Sequence, residues 1–139
     1  MKALTLTQPW ATLVAIGAKG IETRNWRTSF RGPLAIHAAK GWSRADRELC
    51  WLSPFAEALR AAPHPLLRGR VIAIAYLDDC RRITNLDGGP GLASLSDRER
   101  AFGDYTAGRW AWILTGVVAL KEPVPARGAL GLWVWEPPP

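Results

Sequence analysis

The chain has 139 residues, which suits one domain and suffices to bury a core without disulfides or metals. Hydrophobic residues make up 48% and charged residues 22%, a soluble globular balance that excludes a disordered tail or an acidic linker. The net charge of +6 points toward an anionic partner.

The longest apolar runs, 71–77 and 110–120, are too short for a bilayer, which takes about 20 residues. No signal peptide is expected, because Lys2 is the only positive residue of the apolar start and Gln8-Pro9 interrupts it. Cys50 and Cys80 form no Cys-x-x-Cys pair, so neither a zinc site nor a disulfide framework is expected. The expectation is a cytoplasmic, reduced protein without metal or cofactor.

In chain order, residues 2–7 alternate and read as a short strand. Gln8-Pro9-Trp10 opens a helix through Ile16, with Pro9 in its first turn and Gly17 closing it. Residues 21–26 and 34–39 read as strands around a polar turn. Ser43-Arg44-Ala45-Asp46 is a capping box that starts a helix, and Pro54 breaks or restarts it. A second piece over 55–61 ends at Pro63-His64-Pro65, and the whole segment reads as a surface excursion. Residues 69–77 form a strongly apolar, central strand; Asp78-Asp79 breaks it, and 81–84 continues it or its edge. Asp87-Gly88-Gly89-Pro90-Gly91 is expected to be a mobile loop, and no Gly-Lys-Ser/Thr follows to make it a phosphate-binding motif. Ser96-x-x-Glu99 is a second capping box, and 110–120 and 132–136 are the last strands. The pattern is α+β, a small curled sheet or barrel with flanking helices.

The excess charge is concentrated near the start. Residues 1–43 carry Lys2, Lys19, Arg24, Arg27, Arg31 and Lys40 against Glu22 alone. Trp10, Trp26 and Trp42 lie in the same stretch. Base stacking on aromatic rings, joined to phosphate contacts from Lys and Arg, is how flexible nucleic acid is held. On a strand, Glu22, Arg24 and Trp26 share one face, with Lys19 at the strand mouth. Two cations around one acid hold Glu22 ionised and oriented. Arg24 offers a rigid fork to a carbonyl or phosphate, and Lys19 a point charge. The same pattern also fits a salt-bridged exposed strand face, which stabilises weakly.

Three segments carry a resemblance to a known family. They are Leu4-Thr5-Leu6-Thr7-Gln8-Pro9-Trp10, Gly17-Ala18-Lys19-Gly20-Ile21-Glu22-Thr23-Arg24-Asn25-Trp26, and Leu34-Ala35-Ile36-His37-Ala38-Ala39-Lys40. Together with the tail Gly108-Arg109-Trp110-Ala111-Trp112 and Gly128-Ala129-Leu130-Gly131-Leu132-Trp133, they resemble the ASCH family over almost the whole chain. The resemblance implies a PUA-like β-barrel with flanking short helices. It also implies a basic cleft lined by the Lys, Glu and Arg of the Gly-x-Lys-x-x-Glu-x-Arg pattern, and RNA as the partner. A few small bacterial members hydrolyse N-acetylated cytidine, and nuclease activity is known for some. Lys19 matches the essential lysine of the amidohydrolases. Their nucleophilic threonine falls on Glu22, and Thr23, one position off, belongs to the opposite strand face. Glu99 is the nearest candidate for their distal glutamate. Hydrolysis would therefore use Glu22 or Glu99 as a general base on water, with Lys19 stabilising the oxyanion.

Other residues have two readings each. Gln8 reads a base edge or bonds backbone at the helix start. Trp10 serves as core or as a stacking platform, and Trp26 shares the face of Glu22 and Arg24. His37 is a satisfied structural group or, near Lys40 and Trp42, a rim of the cleft. The pairs Trp110/Trp112 and Trp133/Trp135 each share a strand face and read as core or rim. Ser29, Ser43 and Thr12 have no histidine and acid partner at readable spacing, so no serine triad is indicated. The expected function is RNA binding through a nucleotide-accepting basic cleft. The alternative is an amidohydrolase of a modified pyrimidine nucleoside, with a ribonuclease ranked below it.

Overall fold

The computed structural model describes residues 1–84 and 95–139; the expected Asp87–Gly91 loop lies outside them. The elements, in order, are β1 (Lys2–Leu6), α1 (Trp10–Ala15), β2 (Ile21–Arg24), β3 (Gly32–Ala38), α2 (Arg44–Leu49) and α3 (Phe55–Ala58). A 3-10 turn (Leu59–Ala61) follows, then β4 (Arg70–Arg82), α4 (Asp97–Ala101), β5 (Trp110–Pro125) and β6 (Leu132–Val134). The strands form one mixed sheet in the order β2-β5-β4-β3-β1-β6. Only β1 and β3 pair in parallel among the described residues, because α1 and β2 intervene between them. The fold is α+β with short helices. The two ends of the ladder, β2 and β6, do not pair among the described residues, so no barrel closure is made there.

The apolar residues of the strand segments form the main core. Leu4, Leu6, Leu34, Ile36, Ile72, Leu77 and Trp112 pack there with Ala11 and Val14 of α1. Burying side chains of this size yields roughly 1.5–3 kcal/mol each. The 43–66 segment runs over the surface as expected through residue 54, where nothing is buried, but its second half is anchored. Phe55, Leu59, Ala62 and Leu66 form a second buried cluster with Leu13 and Phe102, which fastens α3 and α4 over α1. Neither α2 nor α4 has a buried residue within its own span, and α4 is anchored through its C-cap Phe102.

Both capping boxes act through their serines. Ser43 accepts the Asp46 N–H at 3.1 Å and Ser96 the Glu99 N–H at 3.0 Å. Pro9 is the N-cap of α1, one place before the position expected for it. Asp78-Asp79 does not break β4. The strand continues to Arg82, and a register shift against β5 between Leu77 and Asp79 absorbs the irregularity. β2 ends at Arg24, so Trp26 lies outside the strand that was to carry it. Among the described residues no helix is long and apolar enough to cross a membrane, and no group of three His, Cys, Asp or Glu could hold a metal.

Candidate functional site

The Gly17 turn that ends α1 folds the chain back on itself. The N–H groups of Ala18 and Lys19 both donate to the Leu13 carbonyl, at 2.9 and 3.0 Å. This tuck points Lys19 inward, and it is 1% exposed. Its ammonium donates to the Ile21 carbonyl and lies 3.6 Å from Glu22 Oε1. Burial holds the Lys19 pKa below its ordinary 10.5; the charges of Glu22 and Glu99 oppose that shift, and Arg24 adds to it. The strand period of β2 places Glu22 and Arg24 on one face. Arg24 Nε donates to Glu22 Oε2 at 3.1 Å, and Arg24 Nη2 donates to the Thr5 carbonyl at 2.9 Å. The guanidinium therefore bridges β2 to the distant β1. Ammonium, carboxylate and guanidinium do meet, but Lys19 is the hidden member beneath the other two.

Glu22 and Arg24 line a pocket of about 570 Å³ between the sheet and the helices. Its apolar wall is Trp10, Phe55 and Phe102, with Trp10 meeting Phe55 edge-on at 6.4 Å. Its polar wall also includes Thr5, Thr7, Thr23, Asp104 and Arg109. Spacing in the sequence does not mark Arg109 as a site residue, although it stands in the Gly108-Arg109-Trp110 segment. It donates to the Thr23 carbonyl at 3.2 Å and to the Asp104 carbonyl at 3.1 Å, and lies 3.5 Å from Asp104 Oδ2. The Thr106 side chain and N–H hold the Asp104 carboxyl below the usual range. Thr23 also borders this pocket despite its opposite strand face, and its hydroxyl oxygen accepts the Asp104 N–H at 3.1 Å.

Glu99 comes from α4 to this cluster. Its carboxylate accepts the N–H groups of Gly20 at 3.2 Å and Ile21 at 3.0 Å, which ties α4 to the start of β2. Tyr105 packs beside Ile21, and its hydroxyl is buried without a hydrogen-bond partner among the described residues. Burial, and then the Glu99 charge, raise its pKa. Replacing Glu99 leaves the two N–H groups unpaired, each worth about 1–3 kcal/mol. Glu99→Ala is therefore expected to lower stability by about 2–4 kcal/mol in chemical denaturation, with Glu99→Gln losing less.

The other expected residues lie elsewhere. Gln8 is fully buried. Its amide donates to Thr12 Oγ1 at 2.8 Å and to the Leu67 carbonyl at 2.7 Å, and accepts the Thr12 N–H at 3.0 Å. It bonds backbone at the start of α1, and no part of the amide faces the pocket. Trp26 stacks edge-on against Trp112 at 4.8 Å and packs on the main core. His37 and Lys40 line a second, larger groove of about 1120 Å³ on the far side of Thr5. There Trp133 Nε1 donates to Thr5 Oγ1 at 3.0 Å, the Thr5 hydroxyl bonds His37 Nδ1 at 3.1 Å, and His37 Nε2 donates to the Ala126 carbonyl at 2.7 Å; the roles of the ring nitrogens follow from these partners. Gly128 rests on this chain. A Cβ there would meet Thr5 Oγ1 at 2.6 Å and His37 Cε1 at 2.7 Å. Gly128→Ala is expected to cost about 1–3 kcal/mol, read as a lowered midpoint in thermal unfolding.

A model of the ASCH domain matches residues 4–123. Among solved structures, the chain is similar to the ASCH protein of Zymomonas mobilis, with 16% identity and a TM-score of 0.56, covering 97% of this chain and 87% of that one. A serine-to-alanine mutant of that protein gives 18% identity and a TM-score of 0.55 over the same shares. At such identity the likeness shows the fold. No curated protein matches the sequence. The family match embraces both Lys19-Glu22-Arg24 and the Arg109 segment that closes the same pocket, and the chain belongs to the ASCH domain family.

Proposed function

We propose that this domain binds RNA by accepting one nucleotide in the pocket between Trp10 and the Glu22–Arg24 pair. The observation that carries this reading is the pairing of an aromatic wall with a charged one in a single opening. A planar base suits the aromatic side, where stacking is worth about 1–3 kcal/mol. The Glu22 carboxylate is an acceptor for an exocyclic amino group, and a guanidinium is a donor fork for phosphate. Among the described residues Arg24 Nη1 has no protein partner, so its two N–H groups are available to a ligand. The net charge of +6 favours a polyanion.

Hydrolysis of N-acetylated cytidine by the same residues asks Lys19 to meet an oxyanion, and Glu22 or Glu99 to activate water. A sealed Lys19 and a Glu99 engaged by two backbone N–H groups support binding over turnover. Fluorescence anisotropy with labelled single-stranded RNA at low and moderate salt tests the proposal. Binding that weakens as salt rises is expected. No binding at low salt overturns the reading, and cytidine released from N-acetylcytidine above the level of Lys19→Ala replaces it with the hydrolase.

A further inference from the structure

We propose that the groove beyond Thr5 carries the sugar–phosphate backbone of the same RNA strand, so that the ligand is an oligonucleotide rather than a free nucleotide. This rests on the nucleic-acid reading above and extends it to a second surface.

The two openings differ in how their charges are balanced. In the first, Arg24 pairs with Glu22 and Arg109 with Asp104. The second is lined by Lys40, Arg68, Arg70 and Arg127, all exposed, and no carboxylate is among its described lining residues. None of these four cations forms an ion pair among the described residues. Four uncompensated cations on one groove raise the local concentration of a polyanion.

The groove is also built rather than incidental. Arg68 Nη1 donates to the Lys40 carbonyl at 2.6 Å, and its guanidinium lies 5.7 Å over the Trp42 ring. The Ala126 N–H donates to the Gly69 carbonyl at 3.1 Å, and the Gly69 N–H to the Ala38 carbonyl at 2.7 Å. These bonds tie the segment carrying Arg127 to the end of β3, just before Lys40, and to the start of β4 at Arg70.

Thr5 makes the two openings neighbours, since it lines both. Its carbonyl accepts from Arg24 on one side, and its hydroxyl bonds His37 on the other. A strand that places one base beside Arg24 therefore has cations waiting for its adjoining phosphates. This continuity favours RNA over an acidic peptide, which would supply negative charge but no base for the aromatic wall.

The test compares wild type with the triple variant Arg68→Gln, Arg70→Gln, Arg127→Gln, and with each single variant, by anisotropy across a salt series. The probes are a labelled single-stranded RNA oligonucleotide, cytidine monophosphate as competitor, and polyglutamate of equal charge. Each phosphate contact on a single strand contributes about 0.7 to the slope of log affinity against log salt, so the triple is expected to lower that slope by about 2 and to weaken the oligonucleotide on the order of 10- to 100-fold at low salt. Cytidine monophosphate is expected to bind both proteins alike. An unchanged slope with wild-type RNA binding intact overturns the groove and leaves the pocket reading standing. Polyglutamate binding as tightly as RNA overturns the choice of RNA. Absence of RNA binding by the wild type removes both proposals together.

Discussion

Lys19→Met is expected to destabilise the protein by about 3 kcal/mol, the low end for breaking a buried ion pair. The substitution keeps most of the side-chain volume and removes the charge. It strips the Ile21 carbonyl of its donor and leaves Glu22, whose side chain is 12% exposed, with Arg24 as its remaining cation. Retention of Arg24 is why the loss stays near the low end. For a chain of this size the midpoint of thermal unfolding should fall by roughly 10 °C. The cause can be separated from simple repacking by a double-mutant cycle with Glu22→Gln. If the ion pair is responsible, the two losses are not additive, and the coupling is about 1–3 kcal/mol. Additive losses in denaturant titrations would show that Lys19 matters through its stem alone.

Arg24→Ala should have the largest effect on binding and a small one on stability. Its side chain is a quarter exposed, so its bonds to Glu22 and to the Thr5 carbonyl contribute modestly to folding. In the proposed binding mode the guanidinium orients Glu22 and its remaining N–H groups meet the ligand. Anisotropy with single-stranded RNA should show at least a tenfold loss, equivalent to about 1.4 kcal/mol. Arg24→Lys should recover little, because a point charge cannot serve Glu22, Thr5 and a phosphate at once. Wild-type affinity in Arg24→Ala would remove the guanidinium from the site.

The part of the site that follows a short period was readable in the chain. Glu22 and Arg24 are two residues apart on a strand, so their shared face needs no tertiary knowledge. The two serine caps are equally local, and so is the bonding of Gln8 at the start of α1. Lys19 was expected at the strand mouth, and its burial depends on how the Gly17 turn folds against Leu13, which spacing does not encode. Glu99 reaches Gly20 and Ile21 across 79 and 78 residues, a placement made by packing of Phe102 against Leu13 and Phe55. The sequence offers His37 as a structural group or, near Lys40 and Trp42, as a rim of the cleft that holds Glu22. The pairing of Thr5 with His37 in parallel strands instead puts His37 and Lys40 on the other side of β1 from Arg24. The continuation of β4 through Asp78-Asp79 was hidden for a related reason. A register shift lets two acidic residues ride in a ladder that their composition argues against.

Crystals of the protein soaked with cytidine monophosphate test the central claim most directly. A base is expected against Trp10, with its polar edge or its phosphate within hydrogen-bond distance of Glu22 and Arg24. A nucleotide seated elsewhere, with the Glu22–Arg24 pair untouched and the pocket beside Trp10 empty, would contradict it.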